Sequence, residues 1–286
     1  MKSTDRYKNL IDSAKNYYLN STSECKNIRS GKECFDLTWC PNFDQEINLW
    51  SFWQNGYRNN VTGDMSAEIL LVGQDYGSYI EDCVFIPMIS KCMEGSCNST
   101  EEYVSYIRNS KKRNDTDKNL LELFEVLGDE YKADIKNPRL FFTNLCLGYR
   151  SCEKISGGNI SKQMKHDSAY LKEMIDILRP KVVICLGALT YTCAVEGLVD
   201  DAELNDTIKK QLSLIKKSFI SALDSCDNHI RIECEDYGYE IFALSHPGFM
   251  GTSNRKRYTK NTSLKKLSAL DILKKDWELI RKYFSE

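Results

Sequence analysis

The sequence predicts an α/β fold, a mostly parallel sheet with helices on both faces, and three observations carry that reading. Ile69–Val72, Leu140–Thr143 and Val182–Leu186 are short continuous apolar runs. Such runs, rich in branched and aromatic residues, read as strands buried on both faces. Amphipathic helical segments lie between and after them, and strands alternating with helices imply a parallel sheet with helical cover. Each run also stops abruptly, at Gly73-Gln74-Asp75, Asn144 and Gly187. Right-handed crossovers gather such strand ends along one edge, which is where ligands bind in open sheets.

Taken in order, residues 1–65 read as an N-terminal appendage, helical at first and then loop-rich. Leu10, Ala14 and Tyr17/Tyr18 recur at helical spacing. Trp39, Trp50, Phe52 and Trp53 read as a packing anchor. The remainder, 66–286, reads as one domain with an insertion at about 90–137. That insertion holds the polar Lys111–Asp117 stretch, expected to be a solvated loop, and the helical Leu120–Leu127. Residues 161–178 form a predicted helix with Met164, Ala169, Leu171, Met174, Ile175 and Leu178 on its apolar side, stopped by Pro180. A helix follows from Ala188, and another spans 203–224 with Leu204, Ile208, Leu212, Ile215 and Phe219 on one stripe. Ile230–Cys234 and Tyr239–Leu244 suggest strands around a turn, the second ending at Ser245-His246-Pro247. Leu264 to Phe284 reads as a terminal amphipathic helix.

Composition bounds the function. The chain has 286 residues, 42% hydrophobic and 28% charged, with 39 Lys+Arg against 41 Asp+Glu and a net charge of −2. It is not globally basic, so contact with nucleic acid requires a local patch. The amino terminus lacks a signal-peptide core and no apolar run nears the length of a membrane span, so a soluble cytoplasmic protein is expected. The 12 cysteines are then expected as reduced thiols. Cys185 and Cys193 fall in apolar segments and read as core packing. Cys25, Cys34, Cys40, Cys92 and Cys97 lie in polar segments, at spacings that fit no tight zinc pattern.

The predicted edge presents Gln74-Asp75, Asn144, Gly187 and His246 together: an acid, amides and an imidazole. Four motifs in this order resemble the uracil-DNA glycosylase superfamily. They are Gly73-Gln-Asp75 after a strand, Phe141-Phe-Thr-Asn144, Arg179-Pro-Lys-Val-Val-Ile-Cys-Leu-Gly187, and Ser245-His-Pro247. The resemblance covers residue 66 to the carboxyl end. It implies a three-layer α/β/α sandwich on a central four-stranded, mostly parallel sheet. It also implies a monofunctional DNA glycosylase that flips its nucleotide out of the stack, needs no cofactor and works as a monomer on DNA. Asp75 is then placed to orient the attacking water, and His246 to hydrogen-bond the oxyanion of the leaving base. Asn144 would read the pyrimidine edge, since an amide offers both donor and acceptor. Gln74, Tyr76 and Gly77 would line the pocket, with Phe85 stacking on the base. Gly248, Phe249 and Met250 form an apolar tip that can wedge into the gap in the stack. Arg255, Lys256 and Arg257 would grip phosphates.

The chain departs from the family pattern in three ways. The strict uracil enzymes have Pro then Tyr after the Gln-Asp pair, and that Tyr excludes substituents on carbon 5. Here Tyr76 comes first and Gly77 holds the gate position, although Tyr76 could swing across and restore exclusion. The His-Pro-Ser pattern has become His246-Pro247-Gly248, which loses a hydroxyl able to bind phosphate. The iron–sulfur branch carries a close cysteine pair, absent here. Asp167 or Ser168 stands where that branch places a later cysteine, so Cys146 and Cys152 are not expected to be cluster ligands.

The expected substrate is uracil or another altered pyrimidine. An alternative is hypermodified, glucosylated cytosine of phage DNA, with the insertion supplying polar groups for the sugar, which makes the protein an antiviral enzyme. A second alternative is an inactive nucleic-acid-binding protein of the same fold. A nucleotide-binding or hydrolytic α/β protein fits less well, since neither a Gly-x-Gly-x-x-Gly nor a Walker-type loop follows the first strand.

Overall fold

The structure, a computed structural model, describes residues 2–20, 25–30, 33–39, 65–78, 99–109, 115–133, 139–152, 158–199 and 205–284. Its centre is a five-stranded sheet built from β4 (Ile69–Gly73), β5 (Leu140–Asn144), β7 (Val182–Leu186), β8 (His229–Glu233) and β9 (Gly238–Leu244), in the order β5-β4-β7-β9-β8. Four strands are parallel, as expected. The fifth, β8, pairs antiparallel with β9 and closes one edge as a hairpin. Every residue of β4 and β7 is buried, so both faces of the sheet are covered, the condition under which parallel sheets occur. The edge strand β8 instead alternates, with Ile230 and Ile232 buried between exposed Arg231 and Glu233.

The helices form as their apolar spacing requires. α4 (Ser161–Leu178) ends as Arg179 turns left-handed ahead of Pro180. Its buried stripe departs from the expected one: Ala169 is exposed, while Gln163, Asp167, Ser168 and Ile177 are buried. Asp167 is tolerated there because it accepts hydrogen bonds from Tyr18 Oη, from Gln163 Nε2 at 2.7 Å and from Leu147 N at 2.8 Å. α5 (Ala188–Leu198) packs on α4. α6 (Asp206–Asp224) is capped by Asn205, which accepts from Ile208 N, and buries Ile208, Leu212 and Ile215.

The segment after His246 forms a helix, α7 (Phe249–Tyr258). One expectation for the carboxyl-terminal quarter is corrected. The terminal segment is not one helix from Leu264. A 3-10 turn at Leu264–Lys266 is followed by α8 (Ala269–Glu278), because Ser268 caps at that point by accepting from Asp271 N. A second 3-10 turn, Leu279–Tyr283, closes the chain's described part.

The amino-terminal residues share this core. α1 (Ser3–Asn20) buries Tyr7, Leu10, Ile11, Ala14 and Tyr18, and packs on α4. Arg6 pairs with Glu173 at 2.8 Å, and Tyr17 stacks on His166 with centroids 3.9 Å apart. The expected loop after α1 contains three short strands. β1 (Ile28–Ser30) and β2 (Glu33–Phe35) form a hairpin, and β3 (Leu37–Thr38) pairs with β6 (Tyr149–Arg150) beyond the end of β5. Trp39 is buried, while Trp50, Phe52 and Trp53 lie outside the described residues. Of the insertion, α2 (Ser99–Asn109) and α3 (Asp115–Leu127) are described, and α3 packs on α8. Among the described residues no helix is long and apolar enough to cross a membrane.

Candidate active site at the carboxyl edge of the sheet

Parallel pairing sets Gly73 of β4 directly beside Asn144 of β5. The Asn144 amide lies over the glycine: a Cβ on Gly73 would come within 2.1 Å of Asn144 Oδ1. Only glycine leaves room for that buried amide at the strand end. The two chains stay joined beyond the strands, with Leu145 N donating to Gly73 O and Cys146 N to Gln74 O.

Asp75 follows, its carboxylate 11% exposed. Its Oδ2 accepts from Arg150 Nε at 2.6 Å and from Gly77 N at 3.3 Å, and its Oδ1 from Gln74 Nε2 at 3.3 Å. Gly77 closes this turn with φ 79°, a left-handed conformation that favours glycine. Among the described residues a Cβ there would meet nothing within 4 Å. Tyr76 does not fill the gate position. Its ring stacks on Tyr149, centroids 4.8 Å apart and planes 12° from parallel. Its buried hydroxyl makes no well-formed hydrogen bond, although Thr143 and Asn144 lie close by. Burial pushes that phenol's pKa well up, against the smaller pull of these two neighbours.

His246 lies two residues past β9. Its Nδ1 accepts from Gly248 N at 3.0 Å, so in the neutral ring the proton sits on Nε2. Burial lowers the imidazole pKa, and the nearby Asp75 charge opposes the shift. A Cβ at Gly248 would approach Thr116 Oγ1 to 2.8 Å and His246 Nδ1 to 2.9 Å, so a serine here would force a neighbouring side chain to move. Helix α3 backs this turn: Asn119 Nδ2 donates to Pro247 O at 2.6 Å.

At the start of α7, Phe249 and Met250 are 54% and 66% exposed, an apolar tip next to His246. Lys256 and Arg257 are exposed, Arg257 lying 5.3 Å from the centroid of the Tyr258 ring. Arg255 is different, and its expected phosphate contact is corrected. Its side chain is 0% exposed and enclosed by carboxylates, with Asp276 Oδ2 at 2.8 Å from Nε and Asp224 Oδ1 at 2.7 Å from Nη1. The helical turn points position 255 inward while 256 and 257 face out. Phe85 lies outside the described residues.

Two residues at the site escape sequence reading. Arg150 reaches Asp75 from β6, six positions past Asn144, and Asn119 comes from the insertion. The faint signal for Arg150 was a lone cation in the short Leu147-Gly-Tyr-Arg150 stretch behind the rim. Asn119 left none. Cys146 is buried with its thiol pKa raised by burial and then by Asp167. Among the described residues no group of His, Cys, Asp and Glu is arranged to hold a metal ion. Cys40, Cys92 and Cys97 lie outside them.

No curated protein matches the chain. The family model of the uracil DNA glycosylase superfamily matches residues 61–273, a span that takes in Asp75, Asn144, Gly187 and His246. With that match and this sheet edge, the chain belongs to the uracil DNA glycosylase superfamily.

Proposed function

We propose that the chain is a monofunctional DNA glycosylase that hydrolyses the N-glycosidic bond of a flipped pyrimidine, with Asp75 and His246 as its catalytic pair. The observation that carries the reading is their shared edge: a carboxylate and a half-buried imidazole, its Nδ1 held by Gly248 N, on the edge that also carries the Asn144 amide. In the reaction the bond from C1′ to the base breaks and its electron pair leaves on the base. The water oxygen bonds to C1′, one of its protons passes through Asp75, and a proton ends on the base. Asp75 stabilises the cationic sugar, and His246 Nε2–H donates to the base oxyanion. A neutral imidazole serves here because it donates a hydrogen bond without surrendering its proton.

The pH dependence follows from the His246 geometry. A second proton would have to displace the Gly248 N–H from Nδ1. Burial holds the pKa below its ordinary 6.5, so base release should stay flat through pH 6.5 and fall only at lower pH. The same depressed pKa means the stability it contributes is full above pH 6.5 and is lost as pH falls through the folded value. A rate profile against pH checks this. An acid limb centred above 6.5 would contradict the neutral-imidazole role.

The room that the described residues leave at Gly77 and the Tyr76–Tyr149 stack favour a carbon-5-substituted pyrimidine alongside uracil. Glucosylated cytosine is the bulkiest such substrate, and its removal would make the protein an antiviral enzyme. The test is a panel of matched oligonucleotides carrying uracil, thymine, 5-hydroxymethylcytosine and glucosylated 5-hydroxymethylcytosine, with abasic sites revealed by alkali. Gly77→Asn is the informative variant, because asparagine tolerates the left-handed backbone that a tyrosine would strain. It should cut excision of the substituted bases about 10–200-fold and leave uracil nearly untouched. Exclusive uracil activity, insensitive to Gly77→Asn, would sink the open-gate reading. DNA binding with no base released would support the inactive binder instead.

Lys256 and Arg257 provide the phosphate contact. Replacing both with glutamine should weaken binding to all sequences alike and flatten the salt dependence by up to about two units of slope. An unchanged slope would take α7 off the DNA.

A further inference from the structure

We propose that Arg150 is the positioning residue of the Asp75 carboxylate, and that the N-terminal segment around Phe35–Thr38 holds it in place. This rests on the glycosylase reading and adds a residue and a role to it.

The Asp75 side chain has one stiff torsion and one loose one, since rotation of a carboxylate about its last bond is broad and two-fold. Something must fix the plane if one oxygen is to hold a water in line with a sugar carbon. Arg150 Nε at 2.6 Å and Gly77 N at 3.3 Å both bind Oδ2. Among the described residues Oδ1 accepts only from Gln74 Nε2, at 3.3 Å, and so keeps acceptor capacity for water. The contacts therefore divide the carboxylate into an anchored oxygen and a working one. The guanidinium also balances the carboxylate's charge in a site shielded from solvent, where DNA phosphates bring further negative charge.

Arg150 is itself pinned from three sides. Its side chain is 3% exposed, with the guanidinium carbon 4.7 Å from the centroid of the Phe35 ring. Its backbone pairs with Leu37 in β3 and bridges to Ser78, and its N–H donates to Gly77 O at 2.8 Å. The next residue locks the same junction: Ser151 N donates to Asp36 O, and Asp36 N donates to Ser151 Oγ, each at 2.9 Å. The chain from Phe35 to Thr38 thus forms a wall behind the catalytic turn, linked to it through one cation.

The experiment compares wild type, Arg150→Gln, Arg150→Lys, Phe35→Ala, Asp75→Asn and the Arg150→Gln/Asp75→Asn double variant in base release, with kcat and KM separated. Arg150→Gln should lower kcat about 10–100-fold with KM nearly unchanged, since a misplaced group costs rate and not binding. Arg150→Lys keeps a charge and one donor and should recover much of the loss. The double variant should be no slower than Asp75→Asn, because a positioning residue has nothing left to position. Wild-type kcat in Arg150→Gln, or losses that multiply in the double variant, would overturn the assignment. A raised KM at unchanged kcat would also overturn it, in favour of a substrate contact. Should Arg150→Gln fail to fold by thermal melting, Phe35→Ala carries the test: kcat lowered at constant KM supports the proposal and wild-type kcat overturns it. Wild type that releases no base overturns the glycosylase reading itself. An active wild type with an equally active Arg150→Gln overturns only the role of Arg150.

Discussion

Asp75→Asn is expected to release base at least about 100-fold more slowly than wild type while binding DNA with nearly unchanged affinity, and His246→Ala to do the same. The amide keeps the size of the side chain but loses the charge that faces the sugar cation. It also turns one acceptor into a donor, and Arg150 Nε demands an acceptor at 2.6 Å. The variant amide will therefore turn its oxygen to Arg150 and its NH2 toward the water, the reverse of what water activation needs. His246→Ala removes the Nε2–H proposed to bind the leaving base and frees the Gly248 N–H that holds the turn. The two losses should combine to less than their product, because both groups stabilise one transition state. Single-turnover release from the best substrate of the panel, beside binding measured on the same strand, decides the matter. Wild-type rates in both variants would remove Asp75 and His246 from the chemistry.

Much of this site was legible in the sequence because strands report their ends. A buried parallel strand is a continuous apolar run, so Ile69–Val72, Leu140–Thr143 and Val182–Leu186 declare both themselves and the polar residue that follows. Parallel topology then does the geometry, and Gly73 falls beside Asn144 without further information. What the sequence hid were contacts between segments with no regular period. Arg150 reaches Asp75 through a two-residue strand whose partner lies more than a hundred positions earlier. Asn119 reaches Pro247 from a helix whose own pattern speaks only of its apolar face. The basic run Arg255-Lys256-Arg257 misled for the opposite reason. Three adjacent charges look alike in sequence, but a helix turns successive residues about 100° apart, and one of the three faces the interior.

That inward arginine should govern stability, not DNA binding. Arg255 forms a fork on Asp276, Nε to Oδ2 at 2.8 Å and Nη2 to Oδ1 at 2.9 Å, and gives Nη1 to Asp224 Oδ1 at 2.7 Å. Asp224 also accepts from Thr259 Oγ1 at 2.6 Å and Lys260 N at 2.7 Å, so α6, α7 and α8 meet on one cation. Burial alone would pull the guanidinium pKa down, but Asp276 and Asp224 together raise it. Burial raises the Asp276 pKa, with Arg255 opposing, while the hydrogen bonds at Asp224 outweigh its burial and lower its pKa. Arg255→Met fills similar volume but strands two carboxylates against each other with no counter-charge. Breaking a buried pair in this way should cost about 3–5 kcal/mol of unfolding free energy at pH 7. The deficit should shrink toward pH 5, because a stranded Asp224 can then take up a proton that its hydrogen bonds, Arg255's among them, keep off in the wild type. Denaturant unfolding at the two pH values measures both effects, and the salt slope of DNA binding should be the same in variant and wild type. A variant as stable as wild type, with a slope reduced by about one unit, would instead return Arg255 to the phosphate backbone.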